Sequence, residues 1–315
     1  MMSIVQKSSQ ATGGVARRGP LVLTKHHGLG NDFLVAVGSD LVLKAAPELA
    51  RRLCHRHRGI GADGLMFVDV SRPEPATREP ATLEPTAREP AVDGVMILFN
   101  ADGSRAEMSG NGARCLGQAL AMAVGVSTLD LLIDTDAGRR ALQVRPHRSE
   151  AASVMVRVAM GPVGPGPHWQ ASPAAQRALS SLPAFGAAGR RAVTASIGNP
   201  HLIIEVEDPW SVDLGRFGPL LEADFLAGIN VEFIAKRPGA ANQLDLTVWE
   251  RGSGITEACG TGASAAATIA HRWGLVGPEV TVHMPGGMVE VVVGASQTEL
   301  IGPSTYIAQI EIDLG

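Results

Sequence analysis

The sequence predicts an α+β protein of two pseudo-symmetric domains, each a mixed β-sheet wrapped around a helix. Three observations carry this. A glycine-rich segment at 99–113 recurs at 249–263, a strand-like run precedes each copy, and a helical pattern follows each. The chain of 315 residues also suits two domains of roughly 150 residues each.

The repeat is legible without gaps. Residues 99–113 read FNADGSRAEMSGNGA and residues 249–263 read WERGSGITEACGTGA. Placing Ser109 on Cys259 also places Glu107 on Glu257, Asn100 on Glu250, and one Gly-x-Gly-Ala on the other. Upstream, GNDFLV at 30–35 is echoed by GNPHLI at 198–203. The stretch from Asn31 to Ser109 exceeds that from Asn199 to Cys259 by 18 residues. That excess is close to the size of a Glu-Pro-rich segment at 71–92, which reads as a proline-stiffened surface insertion in the first copy.

In chain order, residues 1–20 lack the apolar centre of a secretory signal and read as a tail. Ordered structure begins with a strand at Leu21-Val22-Leu23. Pro47 opens a helix running to about Arg58, with Leu49 and Leu53 on one face and Gly59 past its end. A second helix follows Gly112, with Ala113, Leu116, Leu120 and Ala123 on one face and Gly125 as its stop. Strands are predicted at 130–134, 153–159, 192–196, 202–206 and 231–234. The alanine-rich helix 263–273 ends at Gly274, and strands follow at 279–283, 288–293 and 306–313.

Composition narrows the function. A net charge of −4 and 4% aromatic residues give no basis for holding nucleic acid or an anionic membrane. No run of 18 apolar residues exists to span a bilayer. Three cysteines exclude a disulfide framework and fit a reducing compartment, here the cytoplasm.

The repeated element is an anion seat: a small side chain, glycine-rich backbone, then a helix start with free N–H groups. Two such ends converging on one carboxylate-bearing ligand suggest a reaction at a single carbon. Cys259 stands at one of them, where a thiol is expected to ionise below its free value of about 8.5. Its alternative is a small buried hydrophobe beside a tight turn. Paired with Ser109, it suggests stereoinversion, one face losing a proton while the other gains it. Cys54 and Cys115 read as packing residues. GIGADG at 59–64 matches a dinucleotide-binding pattern, but a basic helix precedes it, so it reads as a turn. His55 and His57 point to different sides, which argues against a metal site.

These motifs together resemble the diaminopimelate epimerase family: KHHGLGNDF at 25–33, GIGADG at 59–64, NADGS at 100–104, GNGARC at 110–115, GNPH at 198–201, Asn230-Val231, ERG at 250–252 and ACGTG at 258–262. The resemblance implies a cofactor-independent isomerase of lysine and peptidoglycan biosynthesis, with no metal, as a homodimer. It implies barrel-like sheets around each central helix and an active site in the interdomain cleft. Domains of 21–140 and 141–302 follow, with 303–315 as a final strand returning to the first. Carried onto this chain, Cys259 and the residue at 109 form the catalytic pair, with Glu250 and His201 beside them. Asn31, Asn100, Asn199, Asn230, Glu250 and Arg251 hold the distal end of the amino-acid substrate. Gly110, Asn111, Gly260 and Thr261 seat its α-carboxylate.

One position departs from the family. Its first catalytic cysteine falls on Ser109, and a hydroxyl is a far weaker acid than a thiol. Three accounts stand: a substitution that traps an inactive form, a native serine activated by His201 or another neighbour, or a relative needing one good base. The last would be a hydroxy-amino-acid dehydratase, and a related Ser/Cys racemase is a further alternative. A cleft that binds an amino acid without turnover is the non-enzymatic alternative.

Overall fold

The computed structural model describes residues 20–38, 46–70, 93–182 and 191–313. Residues 1–19 of the expected tail and the insertion at 71–92 lie outside them.

The first half runs β1 (Leu21–Gly28), β2 (Asn31–Val37), α1 (Ala46–Cys54), β3 (Gly64–Asp69), β4 (Gly94–Asn100), β5 (Arg105–Ala106) and α2 (Gly110–Val124). It continues through β6 (Leu129–Thr135), β7 (Gly138–Pro146), β8 (Ser153–Gly161) and β9 (Gly164–Pro165). The second half runs α3 (Pro173–Ser181), β10 (Ala192–Ser196), β11 (Pro200–Glu205), α4 (Leu214–Glu222), β12 (Asn230–Lys236), β13 (Gln243–Glu250) and β14 (Gly254–Thr256). Then come α5 (Gly260–Arg272), β15 (Glu279–Met284), β16 (Gly287–Val293) and the long β17 (Thr298–Ile312).

Strand pairing closes two circuits. The first passes β1, β2, β3, β4, β6, β7, β8 and β17 and returns to β1. It encloses α2, which touches β1, β2, β7, β8 and β17. The second passes β10, β11, β12, β13, β15, β16, β17 and β8, whose continuation β9 pairs back to β10. It encloses α5. Each half therefore lends its last strand to the other: β8 and β17 pair along Thr298–Thr305, and β17 then runs on beside β1 from Thr305 to Ile312. The first circuit extends past residue 140, because β7 spans that position.

Enclosure explains a difference from the sequence reading. Periodicity gives α2 one apolar face that includes Ala123, whereas the helix is buried on every side from Gly110 to Ala121 and Ala123 is exposed. A helix surrounded by a barrel has no solvent face until it emerges at its end. The helix from Pro47 likewise stops at Cys54 rather than Arg58. His55 Nδ1 accepts from the backbone N–H groups of His57 and Arg58. The chain then turns so that Arg56 meets Asp32 and Asp63. Periodicity assigned no helix to α3 or α4, which Ser172 and Asp213 cap. Both pack outside the second barrel, where Phe217 and Leu221 meet Leu202 and Phe233.

The two central helices meet end to end. A Cβ built on Gly110 would lie 3.1 Å from Gly260 Cα and 2.8 Å from Leu300 Cδ2. One built on Gly260 would lie 3.0 Å from Gly110 Cα. The Leu300 side chain could shift to make room, but the contact between the two glycines is backbone on backbone and cannot move aside in the same way. Gly110→Ala is expected to cost about 1–3 kcal/mol as an overpacking change. Urea unfolding checks this, and a change below about 0.5 kcal/mol, the range of neutral surface substitutions, would show that the junction yields.

Candidate active site

Ser109 and Cys259 are the N-caps of α2 and α5, with φ/ψ of −137°/122° and −128°/110°. Ser109 Oγ accepts from Gly112 N–H at 3.0 Å, and Cys259 Sγ accepts from Gly262 N–H at 3.4 Å. Neither helix carries an acid in its first turn. Two positive helix ends thus face one space, and no acid in either first turn offsets them.

That space is a cleft of about 570 Å³ between the halves. Of the residues expected at the site, Ser109, Cys259, Glu250, Asn31, Asn100, Gly110, Asn111, Asn199, Asn230, Arg251, Gly260 and Thr261 all line it. His201 does not. It lies fully buried behind the cleft, with Nδ1 2.6 Å from Glu232 Oε1 and Nε2 3.0 Å from Asn199 Oδ1. From there, Asn199 Nδ2 donates to Thr261 Oγ1 at 3.2 Å, and Thr261 Oγ1 lies 3.5 Å from Cys259 Sγ. His201 thus connects to the thiol through this chain rather than by direct contact.

The asparagines are held in defined orientations. Asn31 Nδ2 donates to Asp63 Oδ2, and its Oδ1 accepts from Asn111 Nδ2. Asn100 Nδ2 donates to Ser104 Oγ. Asn230 Oδ1 accepts from the backbone N–H of Arg251. The Arg251 guanidinium faces Glu107 of the other half at 3.6 Å, an ion pair across the cleft. Asp63 also lines the cleft and is bound by Arg56. The turn at 59–64, read as structural, thus delivers a site residue.

Electrostatics overturn one expectation. The helix start was expected to bring the Cys259 thiol below its free value, yet the group lies well above it. Burial is the largest cause, followed by the charges of Glu250 and Glu232. The hydrogen bonds from Thr261 and Gly262 oppose them and lose. Glu250 is itself raised by burial, while bonds from Thr256 and Cys259 pull it down. Thr256 Oγ1 donates to Glu250 Oε1 at 2.5 Å. At neutral pH, therefore, Cys259 is a thiol, and it hydrogen-bonds to the Glu250 carboxyl group. Burial pushes Cys54 and Cys115 up to about 12, which leaves them unreactive packing groups.

Glu232, Asp63, Ser104 and Thr256 escaped the sequence reading. Glu232 had a usable signal: it is a carboxylate within the apolar run VEFI at 231–234. The structure shows that whole run buried. The repeat is also electrically uneven. His201 corresponds to Phe33, and through the pairings His201–Asn230 and Phe33–Gly64, Glu232 corresponds to Met66. With Asn100 opposite Glu250, the ionisable partners cluster at Cys259. Among the described residues, no group of three or more His, Cys, Asp and Glu side chains is placed to hold a metal ion.

Twin helix-filled barrels define a class of duplicated fold that solved structures share. A predicted epimerase of Pseudomonas aeruginosa has a TM-score of 0.68 at 14% identity, over 95% of this chain and 100% of its own. A hydroxyproline epimerase of Agrobacterium vitis has a TM-score of 0.65 at 16% identity, over 94% and 93%. At these identities the likeness concerns the fold. The sequence carries the identification further: a model of the diaminopimelate epimerase family matches residues 23–164 and 193–307. A diaminopimelate epimerase of Halothermothrix orenii is 35% identical over 94% of this chain and 99% of its own. One of Cyanothece sp. is 37% identical over 92% and 98%. The chain belongs to the diaminopimelate epimerase family.

Proposed function

We propose that the protein is a cofactor-independent isomerase that interconverts LL- and meso-diaminopimelate by proton transfer at the α-carbon. The observation that carries this reading is the end-to-end meeting of two helix N-termini, each capped by a side chain that faces one cleft. The α-carboxylate sits on the N–H groups at Gly110, Asn111, Gly260 and Thr261, where both helix ends favour negative charge. The distal end of the substrate lies among Asn31, Asn100, Asn199, Asn230 and Arg251. Glu250 takes the proton of Cys259, the resulting thiolate takes the α-proton, and Ser109 faces the opposite side of the carbanion. A proton delivered by the Ser109 hydroxyl leaves an alkoxide that water, reaching this partly buried cleft residue, reprotonates. Three free thiols favour the cytoplasm, and a homodimer is the assembly we expect.

Incubation with LL- and meso-diaminopimelate in D₂O tests the reading. Deuterium is expected at the α-carbon, with each isomer yielding the other. Absence of exchange from both would overturn it. The clustering of Glu250, Glu232 and His201 at Cys259 favours a second reading, one-base elimination of water from a hydroxylated amino acid. Hydroxyproline turnover without diaminopimelate exchange is its signature.

A further inference from the structure

Arg114, in the first turns of α2, is fully buried, and its Nε and Nη1 have no hydrogen-bond partner among the described residues. Its Nη2 donates to Asn111 Oδ1 at 2.6 Å. Asn111 Nδ2 in turn donates to Asn31 Oδ1 at 3.2 Å and to Ala258 O, next to Cys259, at 2.9 Å. The guanidinium occupies a made space: a Cβ on Gly28 would lie 2.9 Å from Nη2, and one on Gly302 would lie 1.8 Å from Nη1. Burial lowers Arg114 to about 10, which leaves it charged at neutral pH. A cation in the first turns of a helix opposes the macrodipole, and a buried charge without a counter-ion is costly.

We propose that Arg114 is the buried cation of the carboxylate seat, positioning the Asn111 amide and adding its charge to the two helix ends. The negative partner is the ligand's carboxylate, and with it the second negative charge that develops there when the α-proton leaves. Arg114 is a positioning residue, since Asn111 stands between it and the cleft. The inference rests on the reading of the cleft as an amino-acid site.

Iodoacetate and iodoacetamide test it at Cys259, because each places its acyl group one carbon from sulphur, as in the substrate. The thiolate displaces iodide in both cases, and only iodoacetate carries a charge to the seat. In the intact protein, Cys259 is expected to favour iodoacetate over iodoacetamide more than the same thiol does in urea. In Arg114→Met that preference is expected to fall by about tenfold. Tm should hold or rise, since an unpaired buried charge has gone. A merely structural arginine would lower Tm and leave the preference alone. The proposal is overturned by a fall of less than twofold, or by no anion preference in the intact protein, a measurement that needs no folded variant. Absence of diaminopimelate exchange would instead overturn the proposed function, while the two alkylating agents still judge Arg114 directly.

Discussion

Ser109→Cys is expected to raise LL–meso interconversion by about a hundred- to ten-thousand-fold, the usual contribution of a positioned acid–base group. The two caps share backbone geometry and accept from the third residue of their helices, so sulphur at 109 takes up the mirror position of Cys259. Its surroundings differ usefully. Where Cys259 has Glu250 and Glu232, position 109 has Asn100 and Met66, so no matching carboxylates raise the new thiol. The helix end would then favour its thiolate, while Cys259 stays protonated. One base and one acid would face each other across the α-carbon, each ready for its step. The measurement is the interconversion rate of both isomers in the variant and the unaltered protein. Equal rates would show that Ser109 is already a competent partner, or that transfer at that face does not limit the reaction.

Glu250→Gln is expected to move two quantities in opposite directions. Removing an anion beside Cys259 relieves the charge that disfavours the thiolate, so the thiol ionises at lower pH. The acceptor for its proton is lost as well, so α-exchange falls by about a hundred- to ten-thousand-fold. The sign of the acid limb also follows. Burial raises Glu250 above the ordinary carboxylate value. In the unaltered protein, exchange therefore falls as pH drops through that raised value, and the variant lacks this limb. Iodoacetamide labelling of Cys259 against pH, run beside the exchange profile, reads both effects. An unmoved thiol titration would show that Glu250 does not face the sulphur as an anion.

Comparison of particular residues shows what was legible in advance. Ser109, Cys259 and the glycines after them stood out because duplication repeats them at a fixed offset, and repetition survives without coordinates. The asparagines followed from the resemblance, and all of them reach the cleft. His201 lies behind the cleft rather than on it, and lying two residues from Asn199 in sequence says nothing about which of the two points inward. Asn199 sits in the turn before β11 and lines the cleft, whereas His201, two residues on and within β11, is buried in the core.

Chain order was therefore enough for the duplicated α+β plan, the two capping positions and the departure at Ser109, because each depends on local spacing. Tertiary structure alone decided the state of Cys259 and the place of Arg114. The helix start pulls the thiol one way, as local reasoning expects. Burial and two carboxylates, from β12 and the end of β13, pull it the other way and prevail. Likewise, Arg114 reads as an ordinary polar residue until barrel closure brings Gly28 of β1 and Gly302 of β17 around it. Desolvation and through-space charge depend on what surrounds a group, and only the closed barrels set those surroundings.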